Sequence, residues 1–311
     1  MDTLKWDNRP YHSLDYELKH RFGEKVYKLS LAGGTTCPNR DGTLGNRGCI
    51  FCSGNGSGDF ASPATGSVTE QIDKEITRLN SQKHIGKKFI AYFQSFTSTY
   101  APIEKLEKQW MEAMSHPDIV MLSIATRPDC LSEEVLSLLA MCREYLPVMV
   151  ELGLQTIHPK TISYIRRGYP NIVYDTAVER LQSIGVEVVT HVIAGLPGET
   201  KDDFLTTVEY VAKRKSEGIK LQLLHVLKGT DLADDYAKGR FPVLSMEQYL
   251  YDITSALAIL PPDMVIHRVT GDGPKDILIA PSWSLNKRHV LNSLHQKMKK
   301  ESLWQGMSCL P

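Results

Sequence analysis

Cys37-Pro-Asn-Arg-Asp-Gly-Thr-Leu-Gly-Asn-Arg-Gly-Cys49-Ile-Phe-Cys52 gathers three of the six cysteines of a 311-residue chain into sixteen positions. Eleven residues separate the first two cysteines and two separate the last pair. Thiolates are the soft ligands of iron-sulfur clusters and zinc, and a two-residue gap lets both sulfurs reach one site. The segment belongs to a loop, 33–60, that carries eight glycines; a connection of that length is usually functional. Two readings stand. Three thiolates can hold three irons of a 4Fe-4S cluster and leave the fourth open to a cofactor, or zinc can bind with His12, His20 or His84 completing the site, although none of these sits at a finger-like spacing.

Outward from the loop, short β-rich runs alternate with helical periodicity, the pattern of βα units around parallel strands. Strands are predicted at 26–31, 88–93, 120–126, 148–154, 186–193 and 220–226. Helical stretches fall between them at 69–80, 103–114, 132–142, 161–166 with 174–184, and 201–215. Ser132 before Glu133 and Glu134, and Thr200 before Asp202 and Asp203, mark helix starts, where an oxygen acceptor and acids suit the exposed N–H groups. Six successive units predict an α/β fold, a partial (β/α)6 TIM-like barrel open on one side. Loops at strand C-termini build the site in such folds, and the cysteine loop follows the first strand. After the sixth strand come a long helix at 236–260, Pro261-Pro262, a β-like piece at 265–269 and a last helix from Lys287. The expected organisation is an N-terminal extension (1–24), a barrel core (25–234) and a small C-terminal appendage (235–311) for substrate or RNA.

Hydrophobic residues at 42% and charged residues at 23% are the balance of a globular enzyme. A formal net charge of zero demands no polyanionic partner, although a local basic face can still bind one. Residues 1–11 mix Asp2, Lys5, Asp7 and Arg9 with apolar residues and lack the apolar run of a secretion signal. No window approaches the roughly 18 apolar residues of a membrane span, so a cytoplasmic protein with no membrane anchor is expected. Cysteines in a reducing compartment are poor disulfide material, which strengthens the ligand reading.

The cysteine loop resembles that of the radical S-adenosylmethionine (SAM) superfamily, with the extended first gap of its Elongator-catalytic-subunit-like branch. The resemblance continues at strand ends, in Phe93-Gln94-Ser95-Phe96-Thr97, Ile124-Ala125-Thr126-Arg127-Pro128-Asp129, Val150-Glu151-Leu152-Gly153-Leu154-Gln155 and His191-Val192-Ile193-Ala194-Gly195-Leu196-Pro197-Gly198-Glu199-Thr200. Tyr11-His-Ser-Leu-Asp-Tyr-Glu-Leu-Lys19, Cys37-Pro-Asn-Arg-Asp-Gly42 and Leu227-Lys-Gly-Thr230 make the chain similar, nearly end to end, to the YtqA/YhcC-like (MnmL) family. The resemblance implies a 4Fe-4S cluster on Cys37, Cys49 and Cys52 with SAM on the open iron. Phe51 would lie beside the SAM adenine, with ordinary loop packing as the alternative. Gln94 and Ser95 would belong to the turn that recognises its amino end. Glu151 and Gln155, two pleats apart on one strand face, would meet its hydroxyls and amino group, and Glu151 could replace a Glu that relatives often carry where this chain has Ala125. Arg167, with Arg166 as rival, would pair with the SAM carboxylate. Gly195 would bring backbone close to the adenine, or simply make a tight turn.

The same resemblance implies transfer RNA as substrate, with the wobble-uridine side chain remodelled from carboxymethylaminomethyl to aminomethyl, and a flavodoxin- or ferredoxin-type electron donor. His191, His225 and Lys228, at strand ends, are candidates for substrate contact or proton handling. Lys287, Arg288, Lys297, Lys299 and Lys300 line the last helix with no acid between them; such a strip can hold RNA phosphates or be a solvated face. Cys130, Cys142 and Cys309 form no compact second trio, which argues against a second cluster and methylthiotransferase chemistry. Radical chemistry on a small molecule or peptide, and a non-enzymatic zinc-binding RNA module, are the rival functions.

Overall fold

The computed structural model describes residues 6–54, 56, 66–82, 86–271 and 273–309. Its first half runs α1 (Leu14–Phe22), β1 (Tyr27–Leu31), α2 (Val68–Asn80), β2 (Phe89–Phe93), α3 (Ile103–Ser115), β3 (Ile119–Thr126), α4 (Glu133–Tyr145), β4 (Val148–Gln155), α5 (Pro159–Tyr164) and α6 (Asn171–Ser183). There follow β5 (Glu187–Ala194), α7 (Lys201–Lys213), β6 (Gly218–Leu223), β7 (Val226–Leu227), α8 (Asp231–Ala237), α9 (Met246–Ile259), β8 (Val265–Arg268), β9 (Leu278–Ala280) and α10 (Lys287–Lys300). Ser132 and Thr200 cap α4 and α7 with their side chains, as their sequence context anticipates. None of the described helices is long and apolar enough to cross a membrane.

Seven parallel strands in the order β1-β2-β3-β4-β5-β6-β8 form one curled sheet, a half-barrel. The seventh strand is the β-like piece that the sequence reading assigned to the appendage. It pairs with β6 through Gly218↔Val265 and Ile219↔Ile266, and the Ile266 N–H donates to the His12 carbonyl at 2.7 Å. The segment 235–311 therefore completes the barrel sheet as well as extending beyond it. Two further expectations change. The run 220–226 is divided, because β6 ends at Leu223 and β7 pairs antiparallel with β9. The long helix at 236–260 is two helices: Gly239 takes a left-handed φ of 68°, Pro242 removes a donor, and Ser245 starts α9 with a capping box to Gln248.

Side-chain alternation sorts each strand between two environments. Leu29, Phe93, Ile124, Val150 and Leu221 face outward into the main core under the helices, which also holds the buried Trp110. Each such side chain withdrawn from water contributes about 1.5–3 kcal/mol. Facing inward, Val26, Ile90, Met121, Met149 and Val189 form an apolar floor at the strand N-termini, closed by Leu18 of α1. One pleat higher the inward residues are polar: Lys28, Tyr92, Ser123, Glu151, His191 and Lys220.

Candidate functional site

The loop after β1 is folded by its own polar side chains. The Cys37 carbonyl accepts from the N–H groups of Arg40 and Asp41, and Cys52 N–H donates to the Cys49 carbonyl. Ile50 N–H donates to Ile165 O beyond α5, while Ile50 O accepts from Leu232 N–H in α8. Asn39 Nδ2 donates to Arg166 O at 2.7 Å and to Cys49 Sγ at 3.4 Å. All three cysteines are free of disulfides and line one cavity of about 820 Å³ above the barrel mouth. A hydrogen bond from Cys52, helped by Arg127, Asn39 and Arg166 against the cost of burial, lowers the Cys49 thiol to about 6. Donation to Cys49 and burial push Cys52 well up.

These residues suit a 4Fe-4S cluster. Three soft donors stand together with guanidinium groups around them: Arg40 is anchored on Cys52 O and Ser53 O at 3.2 and 2.5 Å, Arg127 is bidentate to Asp129 at 2.9 and 2.7 Å, and Arg166 pairs with Asp231 at 2.6 Å. Such cations offset the negative charge of thiolate-bound iron, and the Asn39 amide can tune it. Among the described residues no three His, Cys, Asp or Glu side chains converge on a single ion; a cluster, which takes its thiolates on separate irons, needs no such convergence. His12 bonds Glu17 and His20 bonds its own helix carbonyl, both about α1 at the floor. His84 lies outside the described residues.

Inside the barrel, Glu151 is 1% exposed and every strand from β1 to β6 other than its own supplies it a donor. Lys28 Nζ and Ser123 Oγ reach Oε1 at 2.5 and 3.3 Å. Tyr92 OH and His191 Nε2 reach Oε2 at 2.7 and 2.9 Å, joined there by Lys220. Burial alone would raise this carboxyl, but Lys220, Lys28 and His191 hold it well below its ordinary range. Burial, with Lys28 and Arg268 adding to it against Glu151, brings Lys220 down to about 7. Burial and Lys220 lower His191 to about 4, so a neutral ring donates Nε2–H to Glu151 and accepts from Gln222 on Nδ1 at 3.1 Å.

The anticipated site residues divide. Phe51, Gln94, Gln155, His191 and His225 line the cavity with the cysteines. Gln155 is held at a φ of 67° with a buried, unpartnered Oε1, an unfavourable backbone of the kind that clusters at ligand sites. Glu151 lines the same cavity, with both oxygens accepting from the neighbouring strands' side chains. Arg167 is corrected outright: its five N–H donors are spent on Tyr169 O twice, Leu154 O, Thr156 O and Asn171 Oδ1, leaving none for a carboxylate. Ser95 is buried beside the cavity and does not line it. Gly195 makes a turn at φ 83°, with Leu244 where a Cβ would go, and Lys228 reaches outward to Asp276 O. Lys287 lies at the cavity mouth, and Arg288, Lys299 and Lys300 are exposed along α10; Lys297 is neutralised by Glu301 at 2.7 Å. The inward charges Lys28, Lys220 and Arg268 escaped the sequence reading, although each interrupts a β-rich run that should be apolar on both faces.

Comparison with known proteins bears on this geometry. The Radical SAM superfamily model matches residues 39–211, and the Radical_SAM C-terminal domain model matches residues 216–300. The protein YtqA of Bacillus subtilis is 43% identical over 296 residues, covering 95% of this chain and 92% of its own. A tRNA uridine(34) acetyltransferase of Methanocaldococcus jannaschii is 26% identical over 203 residues, 63% of this chain and 36% of that protein. Among solved structures, the Elp3 of Methanocaldococcus infernus superposes with a TM-score of 0.68 over 90% of this chain and 64% of its own, at 19% identity, a likeness of fold.

Proposed function

The chain belongs to the radical SAM superfamily, whose members use a 4Fe-4S cluster and SAM, and from that premise we propose that it remodels the wobble-uridine side chain of transfer RNA from carboxymethylaminomethyl to aminomethyl. Bound together, cluster and SAM supply a one-electron cleavage that yields a hydrogen-abstracting 5′-deoxyadenosyl radical. Cys37, Cys49 and Cys52 would hold the cluster, fed by a flavodoxin- or ferredoxin-type donor. Phe51 packs beside the adenine in this reading, and Gln94 and Gln155 present polar groups to the amino end and hydroxyls, with Ser95 buried behind them. Arg127, on the cavity wall, takes the carboxylate that Arg167 is unable to bind. His225 and the neutral His191 face the substrate side, where the walls keep water from the radical.

The observation that carries the RNA reading is the position of Lys287. It joins the exposed basic strip of α10 to the rim of the cavity, so one surface can hold phosphates while a single nucleotide side chain enters the barrel. The partial likeness to a tRNA uridine(34) acetyltransferase supports the same substrate class. The reaction would run in the cytoplasm, where tRNA and reductant meet. Nucleoside analysis of tRNA from cells lacking the gene tests it: the carboxymethylaminomethyl form should accumulate at the expense of aminomethyl, and an unchanged wobble uridine overturns the proposal.

A further inference from the structure

Gln155 ends β4 in a conformation that its neighbours must enforce. Its φ of 67° is one that residues bearing a side chain rarely adopt, and Thr156 N–H donates to Leu154 O at 2.9 Å across it. A three-residue turn with a positive central φ is the rare, strained form of the γ-turn. A second segment grips this one. Arg167, 2% exposed, donates through Nη1 to the carbonyls on both sides of Gln155, Leu154 O at 3.1 Å and Thr156 O at 2.6 Å. Its Nε and Nη2 turn back to Tyr169 O at 3.1 and 2.7 Å, and Nη2 also reaches Asn171 Oδ1 at 2.8 Å. Asn171 donates in turn to Ile157 O at 2.9 Å, and Tyr169 OH to Gly153 O. The carbonyls of residues 153, 154, 156 and 157 are thus held by three side chains, while the side chain of Gln155 lines the cavity.

Every acceptor of Arg167 is neutral. A cation buried on neutral partners is costly, so packing alone is a poor account of it. A planar five-donor fork, however, can hold two carbonyls one residue apart, a geometry that the point charge of a lysine does not match. The same segment is tied to the cysteine loop, since Ile165 O accepts from Ile50 N–H at 3.3 Å and Arg166 O from Asn39 Nδ2 at 2.7 Å. We propose that Arg167 is a positioning residue for SAM: it keeps the β4 turn in its strained form, at a fixed place relative to the cysteine loop, so that the buried, unpartnered Oε1 of Gln155 accepts a hydrogen bond from SAM. The inference rests on the reading of Gln155 as a SAM contact and is independent of the RNA substrate.

Two readouts on cluster-loaded protein separate positioning from plain stability: hydrogen exchange of the peptide spanning 154–157 without SAM, and the dissociation constant of SAM without reductant. Arg167→Lys keeps the charge and loses the fork. It should speed exchange of the Thr156 amide about tenfold and weaken SAM binding about tenfold, the increment of one hydrogen bond. Gln155→Ala should weaken SAM binding by a similar factor, and the double variant should bind within about twofold of Gln155→Ala, because both changes act through one contact. Asn171→Ala frees a single donor of the fork and serves if Arg167→Lys takes up no iron; it should move both readouts in the same direction by about threefold. A lower melting temperature with exchange and SAM affinity unchanged overturns the positioning role. A double variant weakened about a hundredfold, the product of independent effects, overturns the route through Gln155. Wild-type SAM affinity in Gln155→Ala overturns the reading of Gln155 and the proposal with it, whereas wild-type affinity in Arg167→Lys beside a weakened Gln155→Ala overturns the proposal alone.

Discussion

Glu151 accepts hydrogen bonds from residues on β1, β2, β3, β5 and β6, so a single carboxylate ties together strands that meet only because the sheet curls. Lys28 and Glu151 are separated by two intervening strands, yet their charged atoms lie 2.5 Å apart. Removing one partner of a buried ionic set leaves the others uncompensated, so Glu151→Gln should lower stability at pH 7 by about 3–5 kcal/mol, read by urea denaturation. The sign with pH follows from its depressed folded pKa. The carboxylate's contribution is complete above the unfolded carboxyl range of about 4.3 and is lost as pH falls from there toward the folded value. The gap between wild type and Glu151→Gln should therefore narrow below about pH 4.5, and a gap that widens there contradicts the assignment. Gly153 offers a second test. A Cβ there would stand 2.8 Å from Gln155 Nε2, so Gly153→Ala should displace the Gln155 amide and weaken SAM binding about tenfold, with little loss of melting temperature. Sequence could not announce Gln155's strained φ, because the bend comes from the β4–β5 register shift around it.

At the scale of elements, α9 and α10 separate packing from function. Asp252 is buried on α9, and among the described residues no base pairs with it beyond the field of Lys201; burial raises it to about 6. A raised carboxyl pKa makes folding costlier once the group must ionise, so the penalty is absent below about pH 4 and full above pH 6. Asp252→Asn should stabilise the protein at pH 7 by about 1–2 kcal/mol and leave it unchanged at pH 4, as thermal melts at both values would read. On α10, Val290, Leu294 and Met298 face the core and the basic residues face solvent. Neutralising Arg288, Lys299 and Lys300 together should reduce the salt dependence of tRNA binding by about 0.9 in logarithmic slope for each phosphate they neutralise, and an unchanged slope would mark the strip as a solvated face. Element boundaries were legible where caps and period agree, as for α4 and α7. They were not at α8–α9, where the apolar period runs across a break made by Gly239 and Pro242, nor at β8, too short a run to reveal which sheet it would join.

For the whole molecule, a net charge of zero conceals a sharp internal division. Among the described residues that line the cavity, eight are Lys or Arg and one, Glu151, is an acid, a distribution that composition cannot express. The order of βα units and the cysteine spacing made the half-barrel and the superfamily readable, because strand alternation and thiolate chemistry are local. The inner charged layer was not readable as a site, because Lys28, Tyr92, Glu151, His191, Lys220 and Arg268 come together only when seven strands close around one axis. In the proposed chemistry three thiolates leave one iron open to SAM. Its most direct measurement is the electron paramagnetic resonance spectrum of the reduced, anaerobically reconstituted protein before and after SAM is added, with iron and sulfide assayed on the same sample. About four irons per chain and a signal that changes on SAM binding, both lost on replacing Cys37, Cys49 and Cys52 by Ala, are predicted. A spectrum indifferent to SAM, or a colourless protein holding one zinc, would contradict it.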